Sequence, residues 1–265
     1  MLIHYVSDLH LEGLPGRSDL TGVQPVDGSD VLVLGGDIVQ LRHSGELQRF
    51  VAPFTARGLP VLYVPGNHEY YRLGVPMPVR IRDELEAIPG LHLLDDRATM
   101  VDGVRFVGST LWSPLRPVED GIDIADDEEL RLHLNDFRMI NCGGGEHPLS
   151  PARMRALHRQ SWDWLRDELK QAHDGPTVVI THFIPTPAGI MPQYAGSNLN
   201  GYFVADCREL MSPDIALWIA GHTHGSFHLR DEASGVPLVC NPRGYQEHGR
   251  HENPDFDPGA TFRVG

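Results

Sequence analysis

Val64–Tyr71 reads VPGNHEYY, and its interpretation decides the fold. The apolar run from Leu59 to Val64 has the make-up of a buried strand. It stops at Pro65-Gly66 on an amide, an imidazole and a carboxylate in direct succession. Pro-Gly and Asn form turns readily. A turn explains Asn67, but gives no reason for His68 and Glu69 to stand where a core wants neither. A binding site does, provided other strand ends supply partners.

Four further apolar runs end in the same manner. Leu2–His10 closes on Ser7-Asp8 and His10, and Asp30–Ile38 on Gly35-Gly36-Asp37. Pro176–Phe183 closes on Thr181-His182, and Asp214–Gly225 on Gly221-His222-Thr223-His224. Such runs suit strands buried on both faces, as in the centre of an α/β sheet. Ser150-Pro151 supplies an N-cap and first-turn proline ahead of Met154, Leu157, Ser161, Leu165 and Leu169 at helical spacing. Glu46–Ala56 and Val79–Ile88 read as weaker helices. Leu91–Leu94, Thr99–Val101, Val104–Thr110, Ser226–Arg230 and Val236–Cys240 read as short strands. No internal repeat is visible, so residues 1–265 are expected to form one domain. Ser113–Pro148, rich in Asp, Glu, Gly and Pro, is too long for a tight connection. It reads either as a lid insertion at about 113–148 or as a solvated acidic insertion. The tail from His248 shows no regular pattern and is expected to wrap the surface.

Composition narrows the function classes. With 41% apolar and 22% charged residues, the 265-residue chain is ordinary for a globular protein with one large core. Its formal net charge of −14 argues against non-specific nucleic-acid binding, which depends on basic surface. A small anionic substrate remains compatible, because bound cations make a pocket locally positive. No apolar run approaches the ~20 residues that span a bilayer. The N-terminus has neither the basic region nor the cleavage site of a signal peptide. Three widely spaced cysteines argue against structural disulfides, so the cytoplasm is the expected compartment.

The strand ends carry metal chemistry. Asp8-x-His10 and His222-x-His224 have the spacing that turns two side chains to one face near a strand end. Oxygen and imidazole donors together suit Zn, Mn or Fe. Asp8, Asp37 and Asn67 with His10, His182, His222 and His224 suffice for two metals sharing a carboxylate, and leave His68 to spare. Each residue alone has an ordinary structural explanation as a turn former or a hydrogen-bonded histidine. Five independent strand ends with metal-capable residues, most beside a glycine, are hard to explain that way.

The blocks D8-L-H10, G36-D37, G66-N67-H68-E69, T181-H182 and G221-H222-T223-H224 resemble the calcineurin-like metallophosphoesterase superfamily. The match runs from near the N-terminus to about residue 245, with all five blocks in order. The resemblance implies an α/β fold, a four-layer α/β/β/α sandwich with a dinuclear metal site at the strand carboxyl ends. It implies that Asp8, His10 and His224 take one ion and Asn67, His182 and His222 the other, with Asp37 bridging. The cofactors are then two divalent or mixed-valence ions. An anionic bridge holds two dications at the roughly 3.5–4 Å useful for displacement at phosphorus. The expected mechanism is in-line attack by a metal-bridging hydroxide. His68, by resemblance, is the catalytic residue, donating to a phosphate oxygen or protonating the leaving alkoxide. Glu69 is open to two readings, orienting His68 or forming a surface salt bridge.

Departures from the pattern shape the substrate expectation. The Ser/Thr protein phosphatases of this superfamily carry GDYVDRG and RGNHE blocks. Here Gln40 stands for the supporting Asp, Leu41 for the Arg, and Pro65 for the second Arg. The chain thus resembles the bacterial phosphodiesterase branch, whose monoanionic ester needs less cationic clamping. A phosphomonoesterase or nucleotide pyrophosphatase on the same site is the alternative. The lipid A pathway's UDP-sugar pyrophosphatase carries an Arg where His68 stands, and a repair nuclease wants a basic surface. From another class, a non-catalytic metal-binding interaction module would lack ligands, and none is missing. The expected partner is a small phosphoester, with no membrane and an open oligomeric state. Asn135, Arg138, Asn198 and Arg243 are candidate substrate contacts, with Asn200 and Tyr245 beside them. Trp112, Tyr70 and Tyr71 read either as base-stacking or as packing residues.

Overall fold

In the computed structural model, which describes residues 1–14, 16–118, 122–145, 147–247 and 250–265, the apolar runs become the strands of two sheets. The first sheet runs in the order Thr261–Arg263, Leu2–Val6, Val31–Gly35, Val61–Val64, Leu91–Leu93. The last four are parallel, with Ile3 beside Val31 and Val33 beside Leu62. The second sheet runs Phe227–Arg230, Pro237–Cys240, Ile215–Ala220, Thr177–Thr181, Val104–Ser109, Arg97–Val101. Its four central strands are parallel and its two edge strands antiparallel.

Side chains alternate across a strand, and the alternation divides each apolar run between two cores. Ile3, Tyr5, Val31, Val33, Leu62 and Val64 face Phe106, Val178, Ile180, Leu217, Ile219 and Val239 between the sheets. The intervening Leu32, Leu34, Val61 and Tyr63 pack against helices Ser44–Thr55 and Val79–Glu86 through Leu47, Phe50, Val51, Phe54, Ile81 and Leu85. On the opposite side, Val107, Val179 and Trp218 meet Met154, Leu157 and Leu165 of helix Pro151–Leu169. Helices, sheet, sheet and helix therefore stack as four layers. The Ser150 hydroxyl caps that last helix, accepting from Arg153 N–H. Among the described residues no helix is long and apolar enough to cross a membrane. All three cysteines are unpaired.

Three expectations need correction. The tail does not merely wrap the surface. Thr261–Arg263 pairs antiparallel with Leu2–His4, and the amino terminus donates to the Val264 carbonyl at 2.7 Å. This strand exists because the edge of Leu2–Val6 offers unpaired backbone groups, and three residues are too few to show a period. Residues 248 and 249 of the tail lie outside the described residues. Arg97–Val101 starts two residues before Thr99, because Arg97 and Ala98 are exposed edge positions without an apolar signal. The segment 113–148 is no solvated insertion where it is described. It forms helices Asp127–His133 and Asp136–Met139, which bury Leu130 and Phe137, and Ile140 just after them is buried too. Its residues 119–121 and 146 lie outside the described residues.

Phe106 is fully buried between the sheets, whereas Met100 on the neighbouring strand is exposed. Phe106→Ala should cost about 3–5 kcal/mol in urea unfolding, and Met100→Ala no more than about 0.5 kcal/mol. Equal effects would refute the placement of the inter-sheet core.

Candidate metal centre

Parallel strands bring their carboxyl ends to one edge of the stacked sheets, and the chain must turn sharply there. Asp8, His10, Asp37, His222 and His224 all turn with positive φ, at 53°, 48°, 53°, 73° and 50°. L-residues avoid this region, at a cost of roughly 1–2 kcal/mol each, so such strain marks places where side-chain direction matters. Two glycines serve the same end by vacancy. A Cβ on Gly66 would collide with Asp37 Oδ1, and one on Gly36 with the His182 ring.

The turns gather the seven expected ligands into two adjoining clusters. In one, His224 Nε2 lies 3.1 Å from His10 Nε2 and 3.5 Å from Asp8 Oδ1. In the other, His182 Nε2 lies 3.0 Å from Asn67 Oδ1 and 3.4 Å from Asp37 Oδ1. Donor atoms of Asp8, His10 and His224 lie within 4.8 Å of one another, as do those of Asp37, His182 and His222. All are buried except His224, which is partly exposed.

The hydrogen bonds around the second cluster show that it fits a cation. His182 Nδ1 sits 3.0 Å from the Gly35 carbonyl, which only accepts, so its proton lies there and Nε2 presents a lone pair. Asn67 Nδ2 donates to Asp136 Oδ1 at 2.8 Å, which turns the amide oxygen towards His182. Lone pairs of an imidazole, an amide and a carboxylate thus meet with no donor between them. A proton or a metal ion must separate them. His222 Nε2 is buried without any hydrogen-bond partner. Burial works against charge on His182, yet Asp37 and Asp8 raise its pKa to about 9. Burial likewise opposes charge on His224, but Asp8 and Glu252 raise it to about 10. Burial alone would lift Asp37, but His182 and His68 hold it well below the usual carboxylate range.

Partners beyond the ligands fix their orientation, as supporting groups do around metals. Asp136 accepts from Asn67, from the Tyr71 hydroxyl at 2.9 Å and from the Tyr202 hydroxyl at 2.7 Å. Glu252 Oε2 lies 2.7 Å from His224 Nδ1. His68 donates its N–H to Asp37 Oδ1 at 2.8 Å, and its ring stacks on Tyr71 with centroids 4.0 Å apart. Glu12 Oε1 is 3.3 Å from His68 Nδ1, and the Tyr245 hydroxyl 3.0 Å from Nε2. Burial lowers the His68 pKa, but Asp37 and Glu12 outweigh it and raise the value above that of a free imidazole.

Glu69 takes neither expected role. It is fully buried and touches the loops, accepting from the N–H groups of Asp37 (2.9 Å), Ile38 (2.8 Å) and Gly66 (2.8 Å) and from the Tyr63 hydroxyl (2.8 Å). Burial and the neighbouring Asp37 charge push its pKa up to about 7, against the opposing pull of His182 and of the Tyr63 and Ile38 donors.

A cavity of about 330 Å³ opens beside the ligands, and the substrate candidates divide over it. Asn135, Asn200 and Tyr245 line it, whereas Arg138, Asn198 and Arg243 do not. Arg138 is exposed and pairs with Asn135 Oδ1 at 2.7 Å, and Asn198 is exposed and donates to Glu129 at 2.8 Å. Arg243 is buried under the loops, donating to the Leu9 carbonyl at 3.3 Å and to Gln246 at 3.1 Å. Trp112 and Tyr70 pack against each other in the core at 5.3 Å. Glu12, Asp136, Tyr202 and Glu252 were not singled out from the sequence. Asp136 lies between the two candidates Asn135 and Arg138. An acidic residue between an amide and the aromatic Phe137, close to Leu134, is the available signal.

A family model for calcineurin-like phosphoesterases matches residues 1–226. The chain belongs to this family. Uncharacterized protein L509 of Acanthamoeba polyphaga mimivirus is 26% identical over 285 residues, covering 99% of this chain and 96% of that protein. Among solved structures, phosphopantetheinyl hydrolase from Mycobacterium tuberculosis superposes with a TM-score of 0.64 at 17% identity, over 97% of this chain and 98% of that one. That second likeness is one of fold. Membership of the calcineurin-like phosphoesterases supports metal-dependent phosphoester hydrolysis, and the His/Asp groups above are able to hold metal.

Metal entry must displace the protons that His182 and His224 hold in the metal-free protein. Mn²⁺ affinity should therefore rise at least about tenfold between pH 6.5 and 8.5, with proton release on binding. Calorimetric titration in two buffers of different ionisation enthalpy checks this, and a pH-independent affinity would refute it. Glu69→Gln turns an amide NH₂ towards backbone donors. It should lower stability by about 3 kcal/mol in urea unfolding and weaken metal binding, although Glu69 touches no metal. Parent-like stability would refute the clamp.

Proposed function

We propose that the protein is a metal-dependent phosphodiesterase acting on a small phosphoester. In this reading Asp8, His10 and His224 hold one ion, and Asn67, His182 and His222 the other, with Asp37 between them. The observation that carries it is the convergence of the ligand-capable atoms His182 Nε2, Asn67 Oδ1 and Asp37 Oδ1, joined by the unpartnered Nε2 of His222. The mixed oxygen and imidazole set suits Mn, Fe or Zn. When bound, such ions supply Lewis acidity towards phosphate oxygens and a water of lowered pKa.

The chain's own groups do the rest. The Asp37 carboxylate accepts from the His68 N–H, so the loop that positions a ligand also positions the acid. Stacking on Tyr71 and the contact with Glu12 fix the His68 ring plane and favour its protonated form. His68 then donates to a phosphate oxygen or to the departing alkoxide, in the direction of the cavity it lines.

Preference for a diester is supported by what the loops lack. Leu41 is fully buried, Pro65 carries no charge, and the Gln40 side chain accepts from Arg42 Nε at 2.9 Å. No cationic side chain stands at these three positions to clamp a dianionic monoester.

With Mn²⁺, bis-p-nitrophenyl phosphate should turn over faster than p-nitrophenyl phosphate. His68→Ala should keep its metal content and lose a factor of about 10²–10⁴ in kcat, whereas Asp37→Ala should lose metal and rate together. A monoester preference would overturn the diesterase reading. Loss of metal in His68→Ala would make that histidine a supporting residue.

A further inference from the structure

We propose that the cavity beside the metal ligands selects a phosphodiester with one uncharged arm, an apolar chain carrying an amide or hydroxyl group. The proposal rests on the diesterase reading and adds the chemistry of the arm.

Two segments build the cavity. Leu134 and Asn135 come from the acidic segment, and Ile190, Met191, Leu199 and Phe203 from the connection between strands Thr177–Thr181 and Ile215–Ala220. The five apolar side chains make a wall beside His222, and the volume of about 330 Å³ lies in the range of small-molecule sites. Among the described residues lining the cavity there is no Arg and no Lys. Its titratable members include the carboxylates Asp37, Asp136 and Glu252, the histidines His68, His222 and His224 of the metal site, and His133 from the acidic segment. A carboxylate or second phosphate on the arm would lose its water against the apolar wall, where no Arg or Lys of the described lining stands to pair with it.

Asn135 and Asn200 supply two of the polar groups open to the arm, beside the hydroxyls of Tyr194, Ser197 and Thr223. Asn135 Oδ1 accepts from Arg138, and Asn200 Nδ2 donates to the Tyr194 carbonyl at 2.7 Å. Among the described residues no hydrogen bond engages Asn135 Nδ2 or Asn200 Oδ1. One donor and one acceptor match the C=O and N–H of an amide, or a hydroxyl that serves both ways. A phosphate-bearing arm would need several donors and a cation.

The test compares p-nitrophenyl phosphodiesters whose second ester is an acylaminoalkyl or a carboxyalkyl chain of equal length, with bis-p-nitrophenyl phosphate as reference, on the Mn²⁺-loaded protein. The acylaminoalkyl diester should show kcat/KM at least about tenfold above the carboxyalkyl one. Met191→Arg, with Leu199→Lys as a second variant, should shrink or reverse that ratio. Equal or better turnover of the carboxyalkyl diester would overturn the proposal while leaving the diesterase reading intact. Failure to cleave any of the three with two metals bound would overturn the diesterase reading itself.

Discussion

One buried carboxylate holds the ligand loops in register. Glu69 accepts backbone N–H groups from the Asp37 loop and from Gly66, and the hydroxyl of Tyr63 on the strand between. Asp37 and Asn67 lie on those two loops, so their separation is set by a side chain that touches neither ligand atom. Its burial costs several kcal/mol unless every lone pair is used, and here the donors come from backbone that strand ends leave unpaired. The same groups that a sheet fails to satisfy at its carboxyl edge become the frame of the site. Gly66 completes the arrangement, because any side chain there would displace the Asp37 carboxylate.

That frame also accounts for the strained backbone. Five of the expected ligands have left-handed φ, a state that residues other than Gly adopt only where their surroundings compel it. The compulsion is visible in the loop-to-loop bonds. Asp8 N–H donates to the Gly36 carbonyl at 2.9 Å and His10 N–H to the Asp37 carbonyl at 3.0 Å. Asp8 in turn accepts from His222 N–H with both oxygens, at 3.1 and 3.0 Å. Each ligand-bearing loop is bonded to the next, so the strain is distributed over a closed set of turns between two rigid sheets.

How much of this was legible in the sequence follows from the range of the interactions. A strand buried on both faces leaves a continuous apolar run, and the residue that ends it is conspicuous. Asp8, Asp37, Asn67, His182 and His222 could thus be picked out before any contact was known. The four-layer fold followed from their order together with the family resemblance. Asp136 and Glu252 reach the centre from segments with no periodic signal, across 69 residues to Asn67 and 28 to His224. Only the folded chain brings them there. Arg138 and Arg243 misled for the opposite reason. A guanidinium near a phosphate site attracts attention in a sequence, but one is taken up by Asn135 and the other pins loops from beneath. Glu69 was noticed and misassigned, since a carboxylate beside His68 suggests a partner, while the backbone donors that claim it leave no trace in residue type.

The charge pattern joins the site to the cavity. Asp8 and Asp37 are buried at the centre, and in the metal-free protein their countercharge is the protons on His182 and His224. Replacing those protons by dications leaves the surroundings as they were: no Arg or Lys among the described cavity residues, and a chain of net charge −14 around it. Positive charge in the cavity then centres on the metal positions, since no Arg or Lys among the described lining residues adds to it. In the diesterase reading proposed above, a phosphate is then held at the metal positions, with His68 beside them as the neighbouring group whose charge Asp37 and Glu12 favour. Under the proposal above, discrimination then passes to the uncharged part of the ligand, where shape and the amides of Asn135 and Asn200 would act. On that proposal the absent arginines and the apolar lining have one explanation, in which bound metal would supply the charge and the protein the fit.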